Sequence, residues 1–367
     1  MKNIKVMLAC GGTGGHIFPG IAIAEELRAS RPDTSIVFAG TERGLEGQVI
    51  PKMGWPLVSM GSMSIKDRKG IGRLIAYARL PISIIRSVSI LRRERPDIFI
   101  GVGGYAAGPL TLVSSMLKIP TAIIEPNAIA GFTNRMLGKF VDRIYTGFPE
   151  ASEFFPRKKV VLTGNPVRRE ILDLKVKSNG SKTPLTIFIF GGSQGALALN
   201  RAIVEALPHL LPLKGKIRFI HQVGGKEDMD AIRKGYSSNG FEADVFTFID
   251  RIWECYERAD LVISRAGATT VAEVSAVGLP TIFVPYPYAA DDHQRANAES
   301  LVRRDGAVMI LQHELTGERL ANEIRKIASE RLASMCAAAA GAGKRDAARR
   351  IVEDCLKLVR TQVTSPL

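Results

Sequence analysis

The chain is poor in everything that would staple it, thread it through a bilayer or stack it on nucleobases. Its 367 residues hold four cysteines, Cys10, Cys255, Cys336 and Cys355, far apart and never as a C-x-x-C pair. That spacing excludes a disulfide framework or a zinc ligand set and fits the reduced thiols of a cytosolic protein. No apolar run approaches the roughly 20 residues that cross a bilayer, so the chain is expected to be soluble or to sit on a membrane surface. The first residues enter an apolar strand at once, so no signal peptide is expected. Aromatic residues make up 7% of the chain and are nearly missing from its most basic stretch, which argues against single-stranded nucleic acid. There is no Asp-x-Asp suited to a catalytic divalent cation, which fits chemistry without a metal.

What is present is an ordinary globular composition, 46% hydrophobic, in a chain too long for one core. The net charge of +14 is uneven: residues 1–163 carry 22 Lys+Arg against 12 Asp+Glu, or +10, and the remainder 28 against 24, or +4. The basic excess of the first half suits an anionic lipid or a polyphosphate ligand, or simply a soluble surface.

One stretch organises the rest. An apolar run over residues 4–9 leads into Gly11, Gly12, Thr13, Gly14, Gly15 and His16, and Ile17, Ile21, Ala24 and Leu27 then recur at helical spacing. Strand, glycine loop and helix N-terminus together favour an anion, and His16 at the junction is a candidate proton acceptor. A tight turn without a ligand is the plainer reading. The loop is neither the dinucleotide fingerprint, because Ile17 stands where Gly or Ala is needed, nor a Walker loop, because no Gly-Lys-Ser/Thr follows.

Further strands are expected over residues 35–39, 98–102, 121–124, 143–146 and 160–163, with helical patterns between them. That alternation predicts a parallel, doubly wound α/β sheet with ligands at the carboxyl ends of its strands. Two more strand ends carry candidate groups. Gly101, Gly103 and Ala106 match G-x-G-x-x-A with Glu125 about twenty residues on, and we read Gly103, Gly104 and Tyr105 as a second anion-binding turn. Asn127, after Glu125 and Pro126, suits a helix cap or a ligand hydroxyl. From Lys66 to Arg95, nine basic residues surround Ile71, Leu74, Ile75, Ala78, Ile82 and Ile85. This is either a helix for anionic lipid or a pair of helices with isoleucines inward and arginines in water.

Gly164, Asn165, Pro166, Val167 and Arg168 suit a hinge, after which the opening pattern repeats. A strand over residues 185–190 runs into Gly191, Gly192, Ser193, Gln194 and Gly195, and strands are expected over 217–223, 243–248, 261–264, 281–284 and 308–311. Two such domains facing each other make a cleft, a favoured place for a ligand. Glu273 in the helix after Gly267 could accept both hydroxyls of a ribose, or lie on an exposed helix surface. Asp291, Asp292 and His293 are consecutive, so a helix fans them apart and they make no metal site. Gln294 and Asn297 share a face and could hold sugar hydroxyls. Residues 337–343 read as a small-residue linker, and Asp346 as the cap of a last amphipathic helix that closes the second domain or crosses to the first.

These motifs in this order resemble the bacterial N-acetylglucosaminyltransferases that convert lipid I to lipid II for peptidoglycan. The resemblance spans nearly the whole chain. It rests on Gly11 to His16, Gly103 to Pro109, Glu125 with Asn127 and Gly131, Gly164 to Arg168, Gly191 to Gly195, the run from Arg265 to Glu273, and Gln294 with Asn297. It implies a B-type glycosyltransferase fold, two Rossmann-like domains across a cleft. Residues 1–165 would form an acceptor- and membrane-facing domain, 166–342 the UDP-sugar domain, and 343–367 a helix crossing back to the first.

It further implies inverting transfer, with no metal or other cofactor, at the inner face of the cytoplasmic membrane. UDP-N-acetylglucosamine would be the donor, lipid I the acceptor and anionic phospholipid the surface. Glu273 would hold the ribose, the backbone of Ile249 the uracil, with Ala268, Thr269, Thr270, Val271 and Ala272 alongside. Ser193 and Arg168 would face the diphosphate, Gln294 and Asn297 the sugar, and Thr13, Gly14, Gly15 and Asn127 would reach the donor from the first domain. Gly103, Gly104 and Tyr105 would hold the acceptor, whose diphosphate rests on the first-domain turns, and His16 would be the base. Thr269, Ala272 and Pro126 depart from the family's usual residues, which touches uracil contacts and removes no catalytic group. A glycolipid transferase acting on diacylglycerol, an NAD-dependent oxidoreductase built on the turn at Gly101, and a non-catalytic membrane-docking subunit are the competing readings.

Overall fold

The computed structural model describes residues 3–42, 44–60, 80–104, 107–177, 184–192, 195–225 and 229–363. Tyr105, Ser193 and residues 66–79 of the basic stretch lie outside them. The chain divides into two compact units, Met1–Arg168 with Asp346–Leu367, and Arg169–Arg345.

The first unit is a seven-stranded parallel sheet of β1 (Lys5–Cys10), β2 (Ser35–Gly40), β3 (Leu57–Ser59), β4 (Ile98–Gly103), β5 (Thr121–Glu125), β6 (Arg143–Thr146) and β7 (Val160–Leu162), in the order 3-2-1-4-5-6-7. Its central strands are apolar along their whole length because helices cover both faces. Leu8 lies opposite Phe38 on one side and Ile100 on the other. The order reverses between β1 and β4, the crevice where doubly wound sheets take ligands. There the register slips: Ala9 pairs with Gly101, but Cys10 pairs with Gly103. The slip carries the end of β4 toward the first glycine loop.

The second unit is a six-stranded parallel sheet of β8 (Leu185–Phe190), β9 (Ile217–Gln222), β10 (Ala243–Phe246), β11 (Leu261–Ser264), β12 (Thr281–Phe283) and β13 (Ala307–Met309), in the order 10-9-8-11-12-13. Its switch falls between β8 and β11, whose pairing runs unbroken from Leu261 opposite Ile187 to Ser264 opposite Phe190. Both sheets are the doubly wound α/β architecture that the apolar runs predict. β3, three residues long at an edge, has no such run and is absent from the expectation.

Two further readings change. Residues 337–343 are not a linker: 337–342 belong to the helix Leu332–Ala342, and Gly343 caps it. Alanine is the best helix former, and its small face lets backbones approach. A Cβ on Gly306 would lie 3.0 Å from Ala339 Cα, and one on Gly278 3.0 Å from Ala340 Cβ. In the helix Leu80–Glu94, Ile82 and Ile85 do not face the core; they are 51% and 69% exposed, while Ser83 and Ser87 are buried with Ile90 and Leu91. The last helix, Ala347–Val363, begins after Asp346 and belongs to the first unit, burying Ile351, Val352 and Cys355 in its core. Asp354 anchors it to β6, accepting from Arg143 Nε at 3.1 Å and Tyr145 Oη at 3.0 Å.

Candidate active site

In the first unit the two predicted glycine turns meet. Gly104, at φ +92°, lies so close to Gly11 that a Cβ would stand 2.8 Å from the Gly11 carbonyl carbon. Gly103, at φ +130°, passes under His16, where a Cβ would stand 2.5 Å from Cδ2 and 2.8 Å from Nε2. Any side chain at 103 would collide with that edge of the imidazole. His16 is half-buried in the first turn of the helix Gly14–Ser30, and its Nδ1 is 3.2 Å from the Gly11 carbonyl oxygen. A carbonyl has no hydrogen to give, so Nδ1 carries the proton, and in the neutral ring Nε2 is the basic atom. Thr13 precedes the helix and is exposed; Gly14 and Gly15 are half-buried.

A residue the sequence reading did not single out completes this corner. Glu46, 2% exposed, accepts from the Gly12 amide at 3.0 Å, the Thr41 amide at 3.2 Å and the Thr41 hydroxyl at 2.6 Å. Burial alone would raise its pKa. The Thr41 hydroxyl and the amides of Glu46, Gly12 and Thr41 outweigh burial and hold the carboxyl below its ordinary range. The loop therefore does not present all its N–H groups outward, since the Gly12 amide is committed to a carboxylate.

Glu125 is likewise consumed internally. Its Oε1 accepts from the Asn127 amide at 3.0 Å and Nδ2 at 3.3 Å, and its Oε2 from the Gly131 amide at 3.0 Å and Asn134 Nδ2 at 2.9 Å. Burial still pushes its pKa up. It closes the 125–134 loop, so its spacing from Gly101 is not a nucleotide signature. Asn165 is buried and donates to the Pro126 carbonyl at 2.8 Å. Arg168 falls in the first unit, its guanidinium 4.2 Å from the Phe18 ring centroid.

In the second unit the turn after β8 holds Gly192 at φ +88° and Gly195 at φ +73°, with the Gly195 amide donating to the Gly192 carbonyl at 3.0 Å. Its braces are neutral. Gln222 Nε2 donates to the Gly192 carbonyl at 3.1 Å, and Asn200 Nδ2 to the Val223 carbonyl at 2.9 Å. Behind Asn200 lie His221, with Nε2 3.1 Å from Asn200 Oδ1, and Tyr236, with Oη 3.0 Å from His221 Nδ1. Burial drops the His221 pKa to about 3, so this imidazole is neutral.

Glu273 is buried in the helix Ala268–Val277, not exposed, and its Oε2 accepts from Tyr256 Oη at 3.0 Å. Tyr256 packs edge-on against Phe188, ring centroids 5.7 Å apart. On the same helix Ala268 and Val271 are buried, and Thr269, Thr270 and Ala272 are half-buried. Arg265 donates to the carbonyls of Val284 and Pro285, both at 3.0 Å, and to Gln312 Oε1 at 2.6 Å, tying these strand ends together. Gln294 is half-buried and accepts from the Tyr286 amide at 3.0 Å. Asn297 is wholly buried, its Nδ2 donating to the Ala266 carbonyl at 3.2 Å. Ile249 is half-buried beyond the end of β10. The one Asp-x-Asp of the chain is Asp228-Met229-Asp230. Its Asp230 side chain is 89% exposed and paired with Arg233 at 3.4 Å, and Asp228 lies outside the described residues.

The model of the glycosyltransferase family 28 N-terminal domain matches residues 6–146, and that of the family's C-terminal domain matches residues 186–351. The chain is 45% identical over 358 residues to a UDP-N-acetylglucosamine–N-acetylmuramyl-(pentapeptide) pyrophosphoryl-undecaprenol N-acetylglucosamine transferase of Myxococcus xanthus, covering 97% of this chain and 93% of that one. It is 47% identical over 365 residues to the protein of that name in an Anaeromyxobacter species, covering 99% and 96%. Among solved structures, MurG of Acinetobacter baumannii matches with TM-score 0.79 at 30% identity, covering 96% of this chain and 99% of that one. A UDP-N-acetylglucosamine 2-epimerase, TM-score 0.73 at 14% identity, shares the fold alone.

Proposed function

The chain belongs to glycosyltransferase family 28, and from that premise we propose that it transfers N-acetylglucosamine from UDP-N-acetylglucosamine to the C4 hydroxyl of N-acetylmuramic acid in lipid I, forming lipid II. The observation that carries the proposal is identity of 45–47% over 97–99% of the chain to transferases named for that reaction.

The chemistry divides between the units. In the second, Glu273 accepts the ribose hydroxyls, the backbone at Ile249 reads uracil and Gln294 meets the sugar, while Asn297 holds Ala266 in place. In the first, the acceptor lies along Gly103, Gly104 and Tyr105, and His16 Nε2 takes the proton of the C4 hydroxyl. The hydroxyl oxygen bonds to the anomeric carbon as that carbon's bond to the UDP oxygen breaks, which inverts the centre. The departing diphosphate gains charge, and the second glycine turn stabilises it with oriented N–H groups.

The first unit also carries the membrane face. Ile82, Ile85, Met116, Phe132 and Met136 are exposed on three successive helices and Phe140 in the turn that follows, with Phe132 at 75%. Arg86, Arg92, Arg93, Lys118 and Lys139 stand among them in sequence. Apolar side chains bordered by basic ones suit the headgroup region of an anionic bilayer, and no described helix is long and apolar enough to cross one.

UDP release by the purified protein tests the reading. Turnover with lipid I and none with diacylglycerol is the expected result. Release with diacylglycerol alone overturns the acceptor, and no release with either overturns the enzyme.

A further inference from the structure

We propose that Glu46 positions His16 for proton transfer through the peptide group that joins Gly11 to Gly12. The inference rests on the reading of His16 as base and adds a residue to it. One peptide plane connects the two side chains: its carbonyl oxygen, on Gly11, accepts from His16 Nδ1 at 3.2 Å, and its N–H, on Gly12, donates to Glu46 Oε2 at 3.0 Å. A carboxylate on the N–H side polarises the amide and strengthens the carbonyl as an acceptor. That holds the proton on Nδ1 and makes Nε2 the basic atom of the neutral ring, whichever tautomer the ring would prefer in water.

The surroundings are built for this arrangement. Glu46 cannot turn away, because the Thr41 hydroxyl and amide bind its other oxygen at 2.6 and 3.2 Å. Gly11 and Gly40 leave room for it: a Cβ at 11 would stand 2.7 Å from Glu46 Oε1, and one at 40 would stand 2.9 Å from Glu46 Cγ. Gly12 adopts φ +87° with nothing within 4 Å of a would-be Cβ, so its conformation serves to aim the N–H at Glu46, not to relieve crowding. Gly103 packs against the other edge of His16, where a Cβ would stand 2.5 Å from Cδ2 and 2.8 Å from Nε2. Glu46 touches no reacting atom. Its role is that of a positioning residue, as a carboxylate orients a working histidine elsewhere, with a peptide group interposed.

The chain has five histidines, so nitrogen NMR of the full-length protein with labelled imidazoles, with His16 assigned from a His16→Gln variant, reads the tautomer directly. At a pH where the ring is neutral, wild-type His16 is expected as the Nδ1–H form. Glu46→Gln should shift it toward Nε2–H and lower kcat by about 10- to 100-fold, the range for losing the partner that orients a working histidine, with the donor KM within threefold. Thr41→Val, which removes one bond to Glu46, should do the same more weakly. Wild-type His16 found as Nε2–H overturns the proposal without any variant, as does a tautomer that Glu46→Gln leaves unchanged. A His16→Ala protein that keeps its turnover removes the base, and with it the catalytic purpose, but leaves the tautomer result standing, so the two failures are told apart.

Discussion

The two units each place a left-handed glycine after a central strand and back it differently, with a carboxylate in one and neutral groups in the other. Gly12 and Gly192 occupy equivalent places after a central strand, at φ +87° and +88°, each with open space where a side chain would go. Behind Gly12 stands a carboxylate that accepts its N–H. Behind Gly192 stand an amide and a neutral imidazole network, which donate to carbonyls. A carboxylate behind a loop opposes a second negative charge and favours a proton on a nearby base; neutral amides and an uncharged histidine leave a diphosphate unopposed. A shared backbone motif therefore does not fix what it binds, and the groups behind it do. The first turn suits proton removal from a hydroxyl, and the second suits a departing nucleotide.

The largest effects should come from cutting each turn off from its chemistry. His16→Ala is expected to lower kcat by about 10²- to 10⁴-fold, the contribution of a positioned base, with the donor KM little changed. UDP release at saturating donor measures it, and turnover within threefold of wild type would end the assignment of acid–base work to the first unit. Glu273→Ala should cost donor binding about 1.5–3 kcal/mol, the worth of one charge-assisted hydrogen bond. The donor KM should rise by roughly 10- to 150-fold with kcat nearly intact. A defect confined to kcat would move Glu273 out of nucleotide binding.

Acid should separate the units next. The His221 pKa falls from 6.5 to about 3 on folding because burial disfavours the charged ring. The unfolded chain thus binds the proton that the native unit refuses. The stabilisation is complete above pH 6.5 and is lost as pH falls toward 3, at up to about 1.4 kcal/mol per pH unit. In the first unit Glu46 is depressed below 4.5, so its stabilisation persists until the pH falls below that value, while Glu125 is raised and works in the opposite sense. Between pH 6.5 and 4.5 the second unit should therefore weaken and the first should not. The chain has one tryptophan in each, Trp55 and Trp253. Denaturant unfolding of the Trp55→Phe and Trp253→Phe variants reports the units one at a time. His221→Gln should abolish the slope seen through Trp253, and a slope that survives it belongs to another group.

What was legible in the sequence, and what was not, follows from range. β1 and β8 announce themselves because a strand buried on both faces is apolar throughout, and the two glycine turns because each interrupts such a run. Glu46 is silent because its partners form only when the chain folds back. It stands near Glu42, in the first turn of the helix Leu45–Lys52, where an acidic residue ordinarily does no more than complement the helix dipole. Its bond to Gly12 spans 34 residues, and nothing periodic records it. Tyr256 is silent for the same reason, 17 residues from Glu273, and reads as a core aromatic. The alanines at 337–340 misled in the other direction: small residues read as a linker until a neighbouring backbone comes close enough to need them small. Glu125 shows the cost of spacing alone, since its match to a nucleotide signature dissolves once its four bonds are counted inside its own loop.

The smallest effect gives the cleanest comparison. Gly12→Ala and Gly192→Ala each place a methyl in open space at a φ that L-residues resist, so each should cost about 1–2 kcal/mol from the backbone alone. Equal losses of midpoint through the tryptophan of each unit are the expected result, because neither methyl meets a neighbour. The functional consequences should differ. Tilting the peptide at 12 pulls the N–H off Glu46 and loosens the carbonyl that holds His16, so kcat falls; tilting it at 192 disturbs the diphosphate, so the donor KM rises. If both variants changed kcat and KM alike, the two turns would be doing one job, and the carboxylate behind one and the neutral groups behind the other would have no part in dividing the reaction.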